Sequence, residues 1–263
     1  MRNGFTLVEI SIGLVIIGLV IGGVFVGRDL IEATKVRSVI SQRDQFMTAV
    51  RTFQIKYGCL PGDCTNVARF GWTQPGVDNG CSPGNGLIES SNGVINSSDA
   101  VPGYETTHFW RQLSLAGLIS ETIQNPPTNT LASMGAPISG DTINRYFPSI
   151  TDNKRVYWNA VSRTSTSEGK NYFALLGFQS VSQVFGGSGD YDTFAPFTPH
   201  FVRSIDQKTD DGTPGSGKVI GTQRQSYLIA HPASNNATDT GCRISATVYS
   251  THSNRTCGVR FEW

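Results

Sequence analysis

An acidic residue, Glu9, stands at the start of the most apolar stretch of the chain. The seventeen residues that follow it, 10–26, carry no charge, and the wider run 5–27 is 23 residues long. A run of this length can span a bilayer as one helix. An ionised carboxylate inside such a run costs several kcal/mol unless it finds a partner. We therefore predict a functional role for Glu9 in preference to a tolerated interfacial position.

A possible partner for this carboxylate lies at the beginning of the run. Phe5 precedes Glu9 by four residues, which is about one helical turn. If the chain were cut before Phe5, the new amino group could face the carboxylate of a neighbouring chain. Glu9 and Phe5 are thus our candidate assembly residues.

The five cysteines have the composition of an exported protein with disulfides. Cys59, Cys64 and Cys81 share one bridge at most, and their spacing alone does not choose the pair. We favour Cys59–Cys64, across a Leu-Pro-Gly-Asp turn, with Cys64–Cys81 as the alternative. A zinc site would need paired close spacings such as C-x-x-C, and the sequence contains none.

Other patterns resemble enzyme sites but lack necessary parts. Residues 212–218 match G-x-x-x-x-G-K, yet Val219 stands where a phosphate loop has Ser or Thr, and no apolar strand precedes the match. We interpret this block as a turn. The histidines show no i, i+4 pair and are interpreted as surface or capping residues: His108, His200, His231 and His252. There is no G-x-S-x-G motif.

The helix is predicted to continue beyond the apolar run. Residues 28–57 contain no proline or glycine, and apolar side chains recur every three or four residues up to Phe53 and Tyr57. Gly58 and Pro61 then provide a stop. Two G-x-x-x-G spacings in the apolar half permit close packing of helices, or are simply common in membrane helices: Gly18 with Gly22, and Gly23 with Gly27.

Two short helices are predicted in the remainder of the chain. One covers residues 106–118, with Thr106 or Thr107 as its cap and Phe109, Trp110, Leu113 and Leu118 on its apolar face. The other begins at Thr198-Pro199 and runs to about Lys208, since proline favours the first helical position.

The predicted strands are rich in β-branched and aromatic residues. They cover 155–162 and 172–181, and a C-terminal hairpin pairs 243–249 with 257–261 through a turn at 250–255. With 263 residues, the chain allows one α+β head beyond the helix. A net charge of +1, with 16% charged residues, does not favour a nucleic-acid surface.

Residues 4–9, Gly-Phe-Thr-Leu-Val-Glu, resemble the prepilin processing motif of type IV pilins and type II secretion pseudopilins. The resemblance implies that a prepilin peptidase cuts after Gly4 and methylates Phe5, and that Glu9 serves subunit assembly. It also implies a pilin-like fold, in which a long N-terminal helix carries an α+β head with a small antiparallel sheet.

This resemblance divides the chain into four parts. Residues 1–4 would be the leader, 5–27 the membrane-spanning half of the helix, 28–57 its amphipathic half and 58–263 the head. The expected location is the bacterial inner membrane in a single pass, with the N-terminus cytoplasmic and the head periplasmic, and later a pseudopilus or extracellular pilus.

Blocks of the head also resemble a bacterial subgroup of prepilin-type proteins, namely residues 56–64, 84–86, 109–119 and 205–212. A terminal disulfide loop is familiar from type IV pilins, and Cys242 and Cys257 are similarly placed. Some pseudopilin heads bind calcium near the C-terminus, which makes Asp206, Asp210 and Asp211 weak candidates. We favour helix-stop and turn roles for these acids and expect no other cofactor.

The sequence thus predicts a structural, non-enzymatic subunit of a pilus or pseudopilus. Its expected partners are copies of itself, other pilins, prepilin peptidase, the inner-membrane assembly platform and, before assembly, the membrane. The alternative is a filament-borne adhesion or uptake module whose head binds a surface, a sugar or DNA, although nucleic acid is disfavoured by the charge. A membrane-tethered exported enzyme is the third, least favoured possibility.

Overall fold

The computed structural model describes residues 6–72, 83–89, 104–124, 144–151, 153–163, 169–180, 192–194, 196–222, 242–245, 247–251 and 257–263. Its first element is one helix, α1 (Leu7–Tyr57), of 51 residues. At 1.5 Å per residue the helix is about 75 Å long. It ends where expected: Gly58 adopts a left-handed conformation with φ 74°, and its N–H donates to the carbonyl oxygen of Gln54.

Only the second half of α1 packs on the head. The large apolar side chains between Leu7 and Ile31 are exposed, as Leu19 is at 72%. From Val36 onward one face is buried, and Phe46 (3% exposed) is its centre. The Phe46 ring lies 4.9 Å from Trp110, 5.6 Å from Trp158 and 6.4 Å from Phe173 between ring centroids. This aromatic cluster fastens the helix to the head.

The head is built on an antiparallel sheet of six strands. Their bounds are β1 (Ser149–Ile150), β2 (Asn153–Arg163), β3 (Lys170–Ser180), β4 (Asp192–Phe194), β5 (Val219–Thr222) and β8 (Gly258–Glu262). The order is β1-β2-β3-β8-β5, and β4 also pairs with β3. The long helix, the α+β head and its antiparallel sheet confirm the predicted fold class.

Two short helices lie beside this sheet. The first, α2 (Tyr104–Leu115), contributes Phe109, Trp110 and Leu113 to the core. The second, α3 (Pro199–Thr209), has Thr198 as its N-cap, and the Thr198 side chain accepts from the N–H of Phe201. A 3₁₀ turn, Val67–Phe70, follows α1.

The predicted bounds of α2 were wrong at both ends. The helix begins at Tyr104, so that Thr106 is a buried residue of its first turn instead of a cap. It ends at Leu115 because Gly117 adopts φ 66° and the N–H of Leu118 donates back to the Leu113 carbonyl oxygen at 3.0 Å. This left-handed C-terminal arrangement closes the helix three residues before the predicted end.

The predicted C-terminal hairpin was also wrong. Residues 243–249 form their own two-stranded ribbon, β6 (Arg243–Ser245) with β7 (Val248–Tyr249). The Ser245 hydroxyl accepts from the N–H of Thr247, which provides the local turn. The last strand, β8, instead lies between β3 and β5, where Phe261 stands opposite Phe173 and Val219. Residues 258–261 are buried on both faces, as an interior strand requires.

Gly62 and Asp63 together join three separate blocks of the head. The carboxylate of Asp63 accepts from the backbone N–H groups of Gly84, Asn85 (3.1 Å) and Gly86 (2.8 Å). The preceding residue, Gly62, donates its N–H to the side-chain oxygen of Gln112 on α2 at 2.7 Å. We call Asp63 and the N–H groups of Gly84, Asn85 and Gly86 the Asp63 clasp.

A second buried carboxylate, Glu105, lies close to this clasp. One of its oxygens accepts from the N–H of Glu89 at 2.8 Å, and the other has no hydrogen-bond partner among the described residues. Burial raises the pKa of Glu105 to about 8, and the negative charges of Asp63 and Glu89 add to this shift. At neutral pH this carboxyl group is therefore protonated in the folded head.

We expect Glu105→Gln to flatten the pH dependence of head stability. Between pH 4.5 and 8 an unfolded chain releases the Glu105 proton while the folded head retains it, so the free energy of unfolding falls as pH rises. Glutamine cannot titrate, so the variant should be the more stable of the two at pH 8–9 and lose that advantage at pH 5. Thermal unfolding of the full chain in detergent at each pH measures the difference.

The matched control is Glu121→Gln, at a half-buried position beyond the end of α2. It should leave the pH profile of the wild-type chain unchanged. Parallel profiles for wild type and Glu105→Gln would contradict the proposed protonation of Glu105.

Candidate functional site

Thr6 and Glu9 form a reciprocal cap at the first turn of α1. The N–H of Glu9 donates to the Thr6 hydroxyl oxygen at 3.3 Å, and the N–H of Thr6 donates to Glu9 Oε2 at 2.8 Å. The Thr6 hydroxyl also donates to Oε2, at 2.7 Å. Such a capping box satisfies backbone N–H groups that no helical turn can reach. The sequence analysis missed this role of Thr6, although T-x-x-E is the pattern that indicates it.

The Glu9 carboxylate has one oxygen to spare. Both Thr6 donors go to Oε2, and Oε1 makes no hydrogen bond with the described residues. The side chain is exposed. A neighbouring cation could therefore approach Oε1 while Oε2 continues to cap the helix. Gly4 and Phe5 lie outside the described residues, so the Glu9–Phe5 pairing stays a prediction.

The helix that carries Glu9 is apolar and uncovered over its first half. It is the one helix among the described residues that is long and apolar enough to cross a membrane. Gly18, Gly22, Gly23 and Gly27 lie on this half, and a Cβ at any of them would meet no described atom within 4 Å apart from the local helix backbone. Packing within the monomer thus gives no reason for glycine at these positions, and their role in helix packing stays a prediction.

Residues 1–25 match the family model of the prokaryotic N-terminal methylation motif. The chain carries the type IV pilin and pseudopilin signature. The match includes Gly4, Phe5 and Glu9, the residues on which the resemblance rests. No curated protein and no solved structure matched the chain significantly.

The head contains two disulfides among its described residues. One joins Cys59 to Cys64, with 5.3 Å between Cα atoms, and closes the loop that holds Gly62 and Asp63. The alternative pair Cys64–Cys81 is therefore not formed. The other joins Cys242 to Cys257, with 4.6 Å between Cα atoms. This bridge ties the β6–β7 ribbon to the start of β8, so the residues it links lie in different sheets.

The three weak calcium candidates come together after α3. Carboxylate oxygens of Asp206, Asp210 and Asp211 lie within 4.8 Å of one another. However, five of their six oxygens accept hydrogen bonds from the chain itself, mostly from backbone N–H groups of residues 212–219. Each of these five oxygens thus already uses one lone pair on the chain, and the three carboxylates together supply at most six of the six to eight oxygen ligands that calcium takes.

The same hydrogen bonds hold the backbone of residues 212–218, which lie between α3 and β5. Asp206 is the buried member of the acidic group, and the Tyr249 hydroxyl donates to it at 2.8 Å. Burial raises the pKa of Asp206 to about 6. These acids make the contacts expected of helix-stop and turn residues, and a calcium role stays a prediction.

The two described histidines lie in different places. The predicted surface or capping role of His108 was wrong, because this residue is buried in the middle of α2. Burial and the positive charge of Arg111 lower the pKa of His108 to about 4, so its side chain is neutral at pH 7. His200 is exposed on α3, and its Nδ1 lies 2.8 Å from Glu32 Oε1 on α1. His231 and His252 lie outside the described residues.

Glu9→Gln should separate the charge of this residue from its capping role. Glutamine at this position can still accept from Thr6, so α1 should begin normally, but it cannot pair with an amino group. We expect processed protein at wild-type levels and a filament yield as low as in Glu9→Ala, a variant that removes the charge and the cap together. Immunoblots of sheared and cell-bound fractions measure both quantities.

Two further variants provide the control. Thr6→Ser keeps the cap and the charge and should assemble normally, whereas Thr6→Val removes the hydroxyl and leaves the charge. Two results would show that filament assembly requires the cap and not the charge. One is a wild-type filament yield in Glu9→Gln, and the other is a filament yield in Thr6→Val as low as in Glu9→Gln.

Proposed function

We propose that this chain is a structural subunit of a type IV pilus or a type II secretion pseudopilus. The observation that carries the proposal is the uncovered apolar half of α1, which begins with the methylation motif and is continuous with a helix packed in the head. One continuous helix thus connects a segment that no other described part of the chain covers to a folded domain. The role is mechanical and needs no catalytic residues.

Assembly would begin with removal of residues 1–4 by prepilin peptidase and methylation of Phe5. The subunit would wait in the inner membrane with its head in the periplasm until the assembly platform extracts it. Apolar halves of α1 from successive subunits, or from other pilins, would then cover one another in a filament core, with the small faces at Gly18–Gly22 and Gly23–Gly27 allowing close approach.

The contact that sets the register would be Glu9 with the Phe5 amino group of an adjacent subunit. Desolvation of the two charges offsets much of their attraction, so the pair selects the register more than it stabilises the filament. Removal of one partner strands the other charge at a cost of roughly 3–5 kcal/mol. A misregistered subunit incurs the same cost.

The N-terminal peptide from the native cell should begin at Phe5 and carry one added methyl group. Mass spectrometry of the protein from a peptidase-lacking strain provides the control, in which residues 1–4 should remain. A native peptide that retains Met1–Gly4 with an unmodified Phe5 would overturn the proposal, and the head alone would then have to account for function.

A second candidate, adhesion through the head, is supported by aromatic residues at the far end of α1. The rings of Tyr57, Phe70 and Trp72 lie 4.8–5.4 Å apart between centroids and are half-buried. Lys56 lies over the Tyr57 ring at 5.1 Å, and Arg69 over the Phe70 ring at 4.5 Å. Aromatic faces beside cations suit sugars or anionic polymers.

The double variant Lys56→Gln/Arg69→Gln tests this candidate. We expect normal filament number and at least a several-fold loss of attachment or uptake by filament-bearing cells. Arg51→Gln, an exposed position on the same helix, is the control and should leave attachment unchanged. Wild-type attachment in the double variant would exclude these cations as the binding surface.

A further inference from the structure

A cavity of about 480 Å³ lies between α1 and the head, at the end of the apolar half of the helix. Its lining on the α1 side includes Arg28, Ile31, Glu32 and Lys35, and on the head side Phe197 and Phe201. The volume falls within the range of about 300–1,000 Å³ typical of sites for small molecules. Neither the assembly role nor the methylation motif accounts for it.

The position of the cavity along α1 sets its depth relative to a membrane. Residues 10–27 carry no charge and form about 27 Å of helix, close to the hydrocarbon thickness of a bilayer. Arg28 is the first charge after this run, and Lys35 lies about 10 Å further along the axis. The cavity therefore begins where the polar headgroups of a bilayer would lie.

Two cations face the cavity from the same side of α1. Arg28 and Lys35 are seven residues apart, which places them two turns apart on one face of the helix. Glu32 lies between them, and its Oε1 is 2.8 Å from His200 Nδ1. This contact directs the acid toward α3. The polar residues of the lining also include Ser38, Thr151, Asn153 and Thr198.

The opposite wall is aromatic. Phe197 and Phe201 are stacked, with ring centroids 4.8 Å apart and an interplanar angle of 16°. Ile31 and Ile150 extend the apolar lining. The cavity thus combines cations on the helix with an apolar wall on the head, which is the chemistry of a molecule with an anionic head and a hydrocarbon tail.

We propose that this cavity binds the headgroup of an anionic phospholipid. Arg28 and Lys35 contact the phosphate, and Phe197 and Phe201 cover the glycerol and the first methylene groups of the acyl chains. The bound lipid bridges α1 and α3 while the subunit is in the membrane. The inference rests on the proposed membrane location of α1, but not on processing or filament assembly.

Native mass spectrometry of the full chain in detergent tests the proposal, with phosphatidylglycerol and phosphatidylcholine of identical acyl chains as probes. We expect phosphatidylglycerol to bind preferentially. A basic side chain at an anionic membrane surface contributes a factor of about five, so Arg28→Gln/Lys35→Gln should weaken phosphatidylglycerol binding by about 30-fold and leave phosphatidylcholine unchanged.

The matched control, Arg51→Gln/Lys208→Gln, removes two exposed charges, one from α1 and one from the end of α3, neither of which lines the cavity. It should bind phosphatidylglycerol like the wild type. Equal affinity for the two lipids, or equal losses in the two double variants, would overturn the proposal. Displacement of the lipid by millimolar inorganic phosphate would also overturn it, because the site would then recognise a free anion.

The N-terminal peptide mass of the same preparation separates the two proposals. A correctly processed chain without lipid preference would refute the lipid site alone. An unprocessed chain that still selects phosphatidylglycerol would refute the filament role and leave the lipid site standing.

Discussion

The structure depends on a packing constraint within one helix. The second half of α1 is part of the hydrophobic core through Phe46, whose ring contacts Trp110, Trp158 and Phe173. Because the helix continues without a break, this cluster also fixes the direction in which the first half leaves the head. The uncovered apolar surface cannot fold back on its own domain. It must be covered by lipid or by other chains, and this requirement is the physical basis of the proposed filament role.

The head stabilises this arrangement through contacts between blocks far apart in the sequence. The Cys59–Cys64 bridge shapes the loop after α1, and Asp63 then holds residues 84–86 by their backbone N–H groups. Gly62 is required here because a Cβ would overlap the carbonyl oxygen of Glu105 on α2. Three blocks that are separate in the sequence, namely the end of α1, α2 and the 84–86 loop, are therefore held together in one connected structure.

Local signals predicted some elements well, whereas pairing over long distances was not predictable. Gly58 ends α1 and Thr198 caps α3 as expected, because both effects act within a single turn. The placement of β8 between β3 and β5 depends on partners about 40 and 90 residues away. The local sequence pattern of this strand therefore could not distinguish an interior strand of the sheet from one arm of a hairpin. The spacing of apolar residues in α1 predicted a buried face but did not identify Phe46 as its centre. Phe46 is central because the rings of Trp110 and Trp158 lie beside it, and the tertiary fold sets the positions of these two rings.

The geometry at Glu9 also explains why a glutamate suits both the monomer and an assembled filament. A helix cap contributes about 1 kcal/mol, which glutamine at this position could equally supply. A buried ion pair that loses one member costs roughly 3–5 kcal/mol, so the charge outweighs the cap once the helix is enclosed by others. With both Thr6 bonds on Oε2, the two requirements do not compete for the same oxygen. The residue can cap its own helix in the membrane and accept a neighbour's amino group on Oε1 without unwinding the first turn.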